Sequence, residues 1–101
     1  MYIRIIAGKY GGRKIDAPDN SRTHPMGERI RNALFNSIGT RIEGAEVLDA
    51  FAGTGAVGLE ALSRGAARVT FVERDKIAQK VLAKNVVSLD AAEKVEIVNT
   101  S

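Results

Sequence analysis

The sequence predicts an α/β fold: a three-stranded parallel sheet with helical crossovers, preceded by a basic β-hairpin and a helix. Three observations predict it. From residue 45 onward, short runs rich in Val, Ile and Phe alternate with amphipathic stretches, in the order β-α-β-α-β. A glycine-rich turn, "AGTG" (52–55), lies between the first of those strands and its helix. Ahead of them, two short apolar runs flank the turn residues "KYGG" (9–12). Strands joined through helices pair parallel, with right-handed crossovers.

In chain order, "YIRIIAG" (2–8) and "GRKIDA" (12–17) form the hairpin, which carries Arg4, Lys9, Arg13 and Lys14. "PDNSRTHP" (18–25) has the turn chemistry of a polar connector. "MGERIRNALFNSIG" (26–39) reads as a helix with Ile30, Ala33, Leu34 and Ile38 on its apolar stripe and Gly39 as its stop. "AEVLDAF" (45–51) is a strand, "GAVGLEALSR" (55–64) a helix ended by Gly65, and "ARVTFVE" (67–73) a second strand. "DKIAQKVLAKNVVSL" (75–89) is an amphipathic helix, with Asp75 as N-cap and Ile77, Ala78, Val81, Leu82 and Val86 on its buried side. "KVEIVNT" (94–100) is the third strand. The chain divides into a basic extension, 1–41, and a partial cofactor-binding domain, 42–101.

With 101 residues, 45% of them hydrophobic, the chain can bury a modest core. It has no cysteine, which excludes disulfides and cysteine-based metal sites and agrees with a reducing cytoplasm. No run approaches the ~20 apolar residues of a membrane span. The N-terminal stretch is too poor in apolar residues for a signal peptide. No residue pattern points to a metal site. Charge is uneven. Residues 1–41 hold eight Lys/Arg against Asp16, Asp19 and Glu28, a balance of +5, whereas residues 42–101 hold seven against nine acids, a balance of −2. A basic front meets a polyanion such as nucleic acid, or serves as a solvated face.

Gly53, Gly55 and Gly58 spell G-x-G-x-x-G between a strand and a helix, the context in which that pattern wraps a cofactor. Glu73 ends the second strand, 18 residues after Gly55, where a carboxylate accepts hydrogen bonds from adenosine ribose hydroxyls. The alternative is an acid solvated in a turn. A dinucleotide fingerprint would set its first glycine at the strand end, to seat a pyrophosphate. Here Asp49 stands at that end, and a carboxylate suits an α-ammonium better than a pyrophosphate. D-x-F-x-G-x-G therefore favours S-adenosylmethionine over NAD, although Asp49 as a turn acid stays open.

"VLDAFAGTGAVGLEALSRGAARVTFVERD" resembles the cofactor signature of class I methyltransferases. Within that class, "RIIAGKYGGRKI", "ERIRNALFNSI" and "GLEALSRGAARVTFVE" resemble bacterial enzymes that methylate the exocyclic N2 of a guanine in 16S, small-subunit, ribosomal RNA. The resemblance implies a Rossmann-like class I methyltransferase fold, truncated after the third parallel strand. It implies that Asp49, Phe51, Ala52, Gly53, Thr54, Gly55, Glu73 and Arg74 hold S-adenosylmethionine, and that Arg4, Lys9, Arg13, Lys14, Arg29 and Arg31 meet ribosomal RNA. "HPMG" (24–27) departs from the family's Arg-Pro-Thr-Thr, so no contact of those threonines transfers. His24, the single histidine, is expected at the surface or facing RNA rather than acting as a base. The family's Asn/Asp-Pro-Pro-Phe/Tyr motif does not occur before Ser101, since the prolines are Pro18 and Pro25. The chain is accordingly expected to be the N-terminal half of such an enzyme and to lack significant activity alone, because positioning supplies much of the rate. Its first parallel strand is expected to be an exposed edge open to self-association. Two other classes stay open: a non-catalytic RNA-binding module and a dinucleotide-binding oxidoreductase fragment.

Overall fold

The computed structural model describes residues 2–17 and 25–99. Strands β1 (Tyr2–Arg4) and β2 (Lys14–Asp16) pair antiparallel, with Tyr2 opposite Asp16 and Arg4 opposite Lys14. Helix α1 (Pro25–Ile38) begins at a proline, whose fixed φ suits a first helical position. A 3-10 turn (Gly39–Ile42) leads to β3 (Glu46–Asp49). Then follow α2 (Ala56–Ser63), β4 (Arg68–Glu73), α3 (Lys76–Ser88), a 3-10 turn (Ala92–Lys94) and β5 (Val95–Asn99). The expected connector at 18–24 and His24 lie outside the described residues.

The second sheet is parallel, in the order β3-β4-β5. β4 is central because "RVTFVE" is rich in the β-branched and aromatic residues that suit a strand paired on both sides. Helices α2 and α3 cover the face bearing Val47, Val69, Phe71, Val95 and Ile97. Phe71, Leu59 and Leu82 are fully buried there, each worth ~1.5–3 kcal/mol of transfer free energy. The opposite face carries Leu48, Val72 and Val98; Leu48 is 66% exposed, so nothing among the described residues covers it. Among the described residues, strands β3 and β5 form the two edges of this sheet. No helix among the described residues is long and apolar enough to cross a membrane.

The core does not stop at residue 41. Ile5, Tyr10, Ile15 and Phe35 join Leu59, Leu62, Val69 and Phe71 in one buried cluster. The hairpin strands are shorter than 2–8 and 12–17 because most of the intervening segment is spent on α2. The carboxylate of Glu60 accepts from the Ile6 N–H at 2.9 Å and the Ala7 N–H at 3.1 Å. Ser63 receives the Lys9 N–H on its carbonyl and the Tyr10 N–H on its hydroxyl, both at 2.8 Å.

The same acid turns α1. Arg31 is 7% exposed, with Nε donating to Glu60 at 3.2 Å, and Phe35 lies on the same inward side. Most of the expected stripe faces outward instead: Ile30 is 64% exposed, Leu34 is 45% exposed, and Ala33 is exposed with them, whereas Ile38 is half-buried against the core as expected. A buried carboxylate needs cationic partners, and that requirement outweighs burying two aliphatic side chains. On α3, Ala78, Leu82 and Val86 are buried as expected, but Ile77 is exposed and Asn85 is buried in the core.

Candidate cofactor site

The site is built where β3 and β4 end. Asp49 closes β3, and the chain then makes a turn in which the Gly55 N–H donates to the Ala52 carbonyl at 2.8 Å. Gly53 has φ +55° and Gly55 φ +95°, left-handed conformations that favour glycine. A Cβ on Gly53 would meet nothing within 4 Å, so the turn backbone is open to close approach there. Gly58 serves packing instead. A Cβ on it would lie 2.2 Å from the Phe71 ring, so its bareness lets α2 press onto β4.

Two acids organise this turn. Glu73 ends β4 and uses both oxygens: the Gly53 N–H donates to Oε1 at 2.7 Å and the Asp75 N–H to Oε2 at 2.8 Å. The Ala52 N–H donates to the Val72 carbonyl, so the turn lies along the end of β4. Asp75 caps α3 by accepting the Ala78 N–H at 2.8 Å. Asp49 reaches the start of α2, where Oδ2 accepts the Gly58 N–H at 3.2 Å. Burial pushes the Asp49 carboxyl above its ordinary value; backbone hydrogen bonds from Gly58 and Phe51 oppose the shift, and the nearby Glu73 charge adds to it. No lysine or arginine among the described residues pairs with Asp49. A partly buried carboxylate beside another acid, with no cation of its own, favours a positively charged visitor.

Of the residues expected at the cofactor, Asp49, Ala52, Gly53, Thr54, Gly55 and Glu73 lie in or beside this turn, and each makes at least one of its hydrogen bonds. Phe51 stands out from the turn, 92% exposed, and Arg74 is exposed beyond Glu73. Of the residues expected at RNA, Arg4, Lys9, Arg13, Lys14 and Arg29 are exposed. Arg4 meets Glu28 at 3.4 Å, Lys14 lies over the Tyr2 ring, and Arg13 Nη2 donates to the Ser88 carbonyl at 2.7 Å. Arg31 corrects the expectation. Its guanidinium is buried on Glu60 and on the Arg4 carbonyl, where no phosphate reaches it. Reading by sequence also passed over Glu60, Ser63 and Asn85. The Glu60–Arg64 spacing of four was the legible signal for the first, and Arg64 Nε does donate to Glu60, at 2.8 Å.

A parallel sheet with a glycine turn after its first strand, and acids ending its first two strands, defines a Rossmann-like class I methyltransferase fold, here through its first three parallel strands. The solved structure of yhhF, a candidate methyltransferase of Escherichia coli, superposes with a TM-score of 0.88 at 44% identity, covering 100% of this chain and 53% of that one. The chain belongs to the family described as Conserved hypothetical protein 95, whose model matches residues 3–101. Relatives named ribosomal RNA small subunit methyltransferase D are similar to it. The one from Escherichia coli K12 is 47% identical over 89 residues, 88% of this chain and 45% of that protein. The one from Haemophilus influenzae is 43% identical over 100 residues, 98% of this chain and 52% of that protein. The chain thus spans about half the length of the curated relatives it matches.

Proposed function

We propose that this chain is the methyl-donor-binding half of an S-adenosylmethionine-dependent methyltransferase that acts on the exocyclic N2 of a guanine in small-subunit ribosomal RNA, in the cytoplasm. The observation that carries the reading is Asp49: a partly buried acid whose Oδ2 accepts the Gly58 N–H in the first turn of α2, with no cation paired to it among the described residues. That position also weighs against NAD. A pyrophosphate at the start of α2 would compete with Asp49 for the Gly58 N–H and would face its charge.

In this reading Asp49 receives the α-ammonium of the donor. Glu73 keeps lone pairs beyond its two backbone bonds and receives the ribose hydroxyls. The bare Gly53 backbone lets the donor approach, with Phe51, Ala52, Thr54, Gly55 and Arg74 around it. When bound, S-adenosylmethionine supplies an electrophilic sulfonium methyl for attack by an amine. Arg4, Lys9, Arg13, Lys14 and Arg29 hold RNA phosphates. The Asn/Asp-Pro-Pro-Phe/Tyr motif that the resemblance implies for orienting the acceptor amine does not occur within residues 1–101, so these residues by themselves are expected to be inactive. The uncovered β3 edge and the face around Leu48 are where the remaining half of the relatives, or a second copy, would pair.

Calorimetry with S-adenosylhomocysteine and with NAD tests the reading. Binding of the adenosyl ligand and not NAD is expected; the reverse overturns it. RNA binding that survives Asp49→Ala and Glu73→Ala, in a chain without adenosyl affinity, would mark a non-catalytic RNA-binding module instead.

A further inference from the structure

Asn85 lies on the buried side of α3, 2% exposed, between the hairpin and the cofactor turn. Its Oδ1 accepts the Asp16 N–H at 2.8 Å, and its Nδ2 donates to the Asp16 carbonyl at 3.0 Å and to the Thr54 carbonyl at 2.9 Å. One carboxamide therefore mimics a strand partner for the end of β2 and holds the turn as well. Only this orientation works, since a flipped amide would set Oδ1 against two carbonyl oxygens. The consequence for the turn is specific. The Thr54–Gly55 peptide is held at both ends, its oxygen by Asn85 and its N–H by the Ala52 carbonyl. On either side of Asn85, α3 makes two further holds on the hairpin: Lys84 pairs with Asp16, and the Ser88 carbonyl accepts from Arg13. Arg13 keeps further guanidinium N–H donors with which to hold a phosphate while its bond to Ser88 stays.

We propose that Asn85 is a positioning residue that sets the conformation of the cofactor turn from the hairpin, so that a polyanion on the hairpin and an adenosyl ligand on the turn bind interdependently. The second half of this inference rests on the methyl-donor reading above. A polyanion that orders the hairpin fixes Asp16, Asp16 fixes Asn85, and the turn then has less freedom to lose when the ligand arrives. The effect is reciprocal, as any coupling of two binding equilibria must be.

The test compares the wild-type chain with Asn85→Leu, and with Val86→Ala as a control that loosens the same helix without touching the turn. Amide exchange at Gly53 and Gly55 is followed by NMR, and affinity for S-adenosylhomocysteine is measured with and without a guanine-containing RNA hairpin. In Asn85→Leu, exchange at the turn is expected to rise at least ~10-fold beyond that in the control. Ligand affinity should fall by at least ~10-fold, and the RNA-dependent gain, about fivefold or more in wild type, should vanish. Turn exchange equal to that of the control, or an RNA-dependent gain that survives, overturns the proposal. If Asn85→Leu does not fold, Asn85→Ala, which removes the carboxamide and puts no new group against the Asp16 and Thr54 carbonyls, is read in the same way. A wild type that binds no adenosyl ligand removes the methyl-donor reading and the interdependence with it, whereas the exchange data still decide whether Asn85 positions the turn.

Discussion

Glu60 and Asp49 are both acids on or beside α2, and they are satisfied in opposite ways. Glu60 is 0% exposed and holds two guanidinium groups and two backbone N–H groups, all from this chain. Asp49 is only partly buried, yet among the described residues it has backbone donors alone and an acid, Glu73, for a neighbour. The first arrangement is electrostatically complete, and it clamps the N-terminal segment and α1 to the sheet domain. The second has no cation among the described residues. A complete buried network belongs to the architecture, and an incomplete one at the mouth of a glycine turn belongs to a ligand.

The comparison breaks most readily at Glu60. Glu60→Gln leaves Arg31 buried without an anion, and such losses cost about 3–5 kcal/mol. In a chain of this size that lowers Tm by ~12 °C or more, measurable by thermal denaturation followed by circular dichroism. Asp49→Asn should do the reverse. It removes a desolvated charge beside Glu73, so Tm holds or rises, while affinity for S-adenosylhomocysteine falls about 10- to 100-fold by calorimetry, the worth of a charge-assisted hydrogen bond. Gly58→Ala tests how closely α2 must approach. The new methyl would drive into Phe71, and such overpacking costs ~1–3 kcal/mol in a denaturant titration, with m unchanged. The smallest effect lies at the surface. Neutralising Lys9, Arg13 and Lys14 together should weaken RNA binding and flatten its dependence on salt concentration, by roughly 0.7 in slope for each single-strand phosphate no longer neutralised. An unchanged slope would remove the hairpin from the RNA surface.

The parallel sheet, the glycine turn and the Asp75 cap were legible because each is local: a period, a spacing or a side chain three residues from its partner. Asp49 and Glu73 could be placed at strand ends on the same grounds. The outward turn of Ile30 and Leu34 was not legible, because hydrophobic periodicity cannot register that Glu60, 29 residues beyond Arg31, waits opposite for a guanidinium. Asn85 was hidden for a related reason. A polar residue on an apolar helix face looks misplaced until the Asp16 and Thr54 backbones, 69 and 31 residues away, supply its partners. The shortened hairpin strands likewise depend on Glu60 and Ser63, both remote in sequence.

The central claim is that Asp49 awaits a cation, and carboxyl-carbon NMR of Asp49 across pH tests it most directly. In the free chain its pKa should lie above the ordinary 3.8. The folded state then binds that proton more tightly than the unfolded chain, so Asp49 costs stability as pH rises from 3.8 through the raised value. A bound ammonium favours the ionised form, so affinity for S-adenosylhomocysteine should strengthen over the same window, and saturation with the ligand should move the Asp49 titration downward. A ligand that binds and leaves the Asp49 titration where it was would contradict the account.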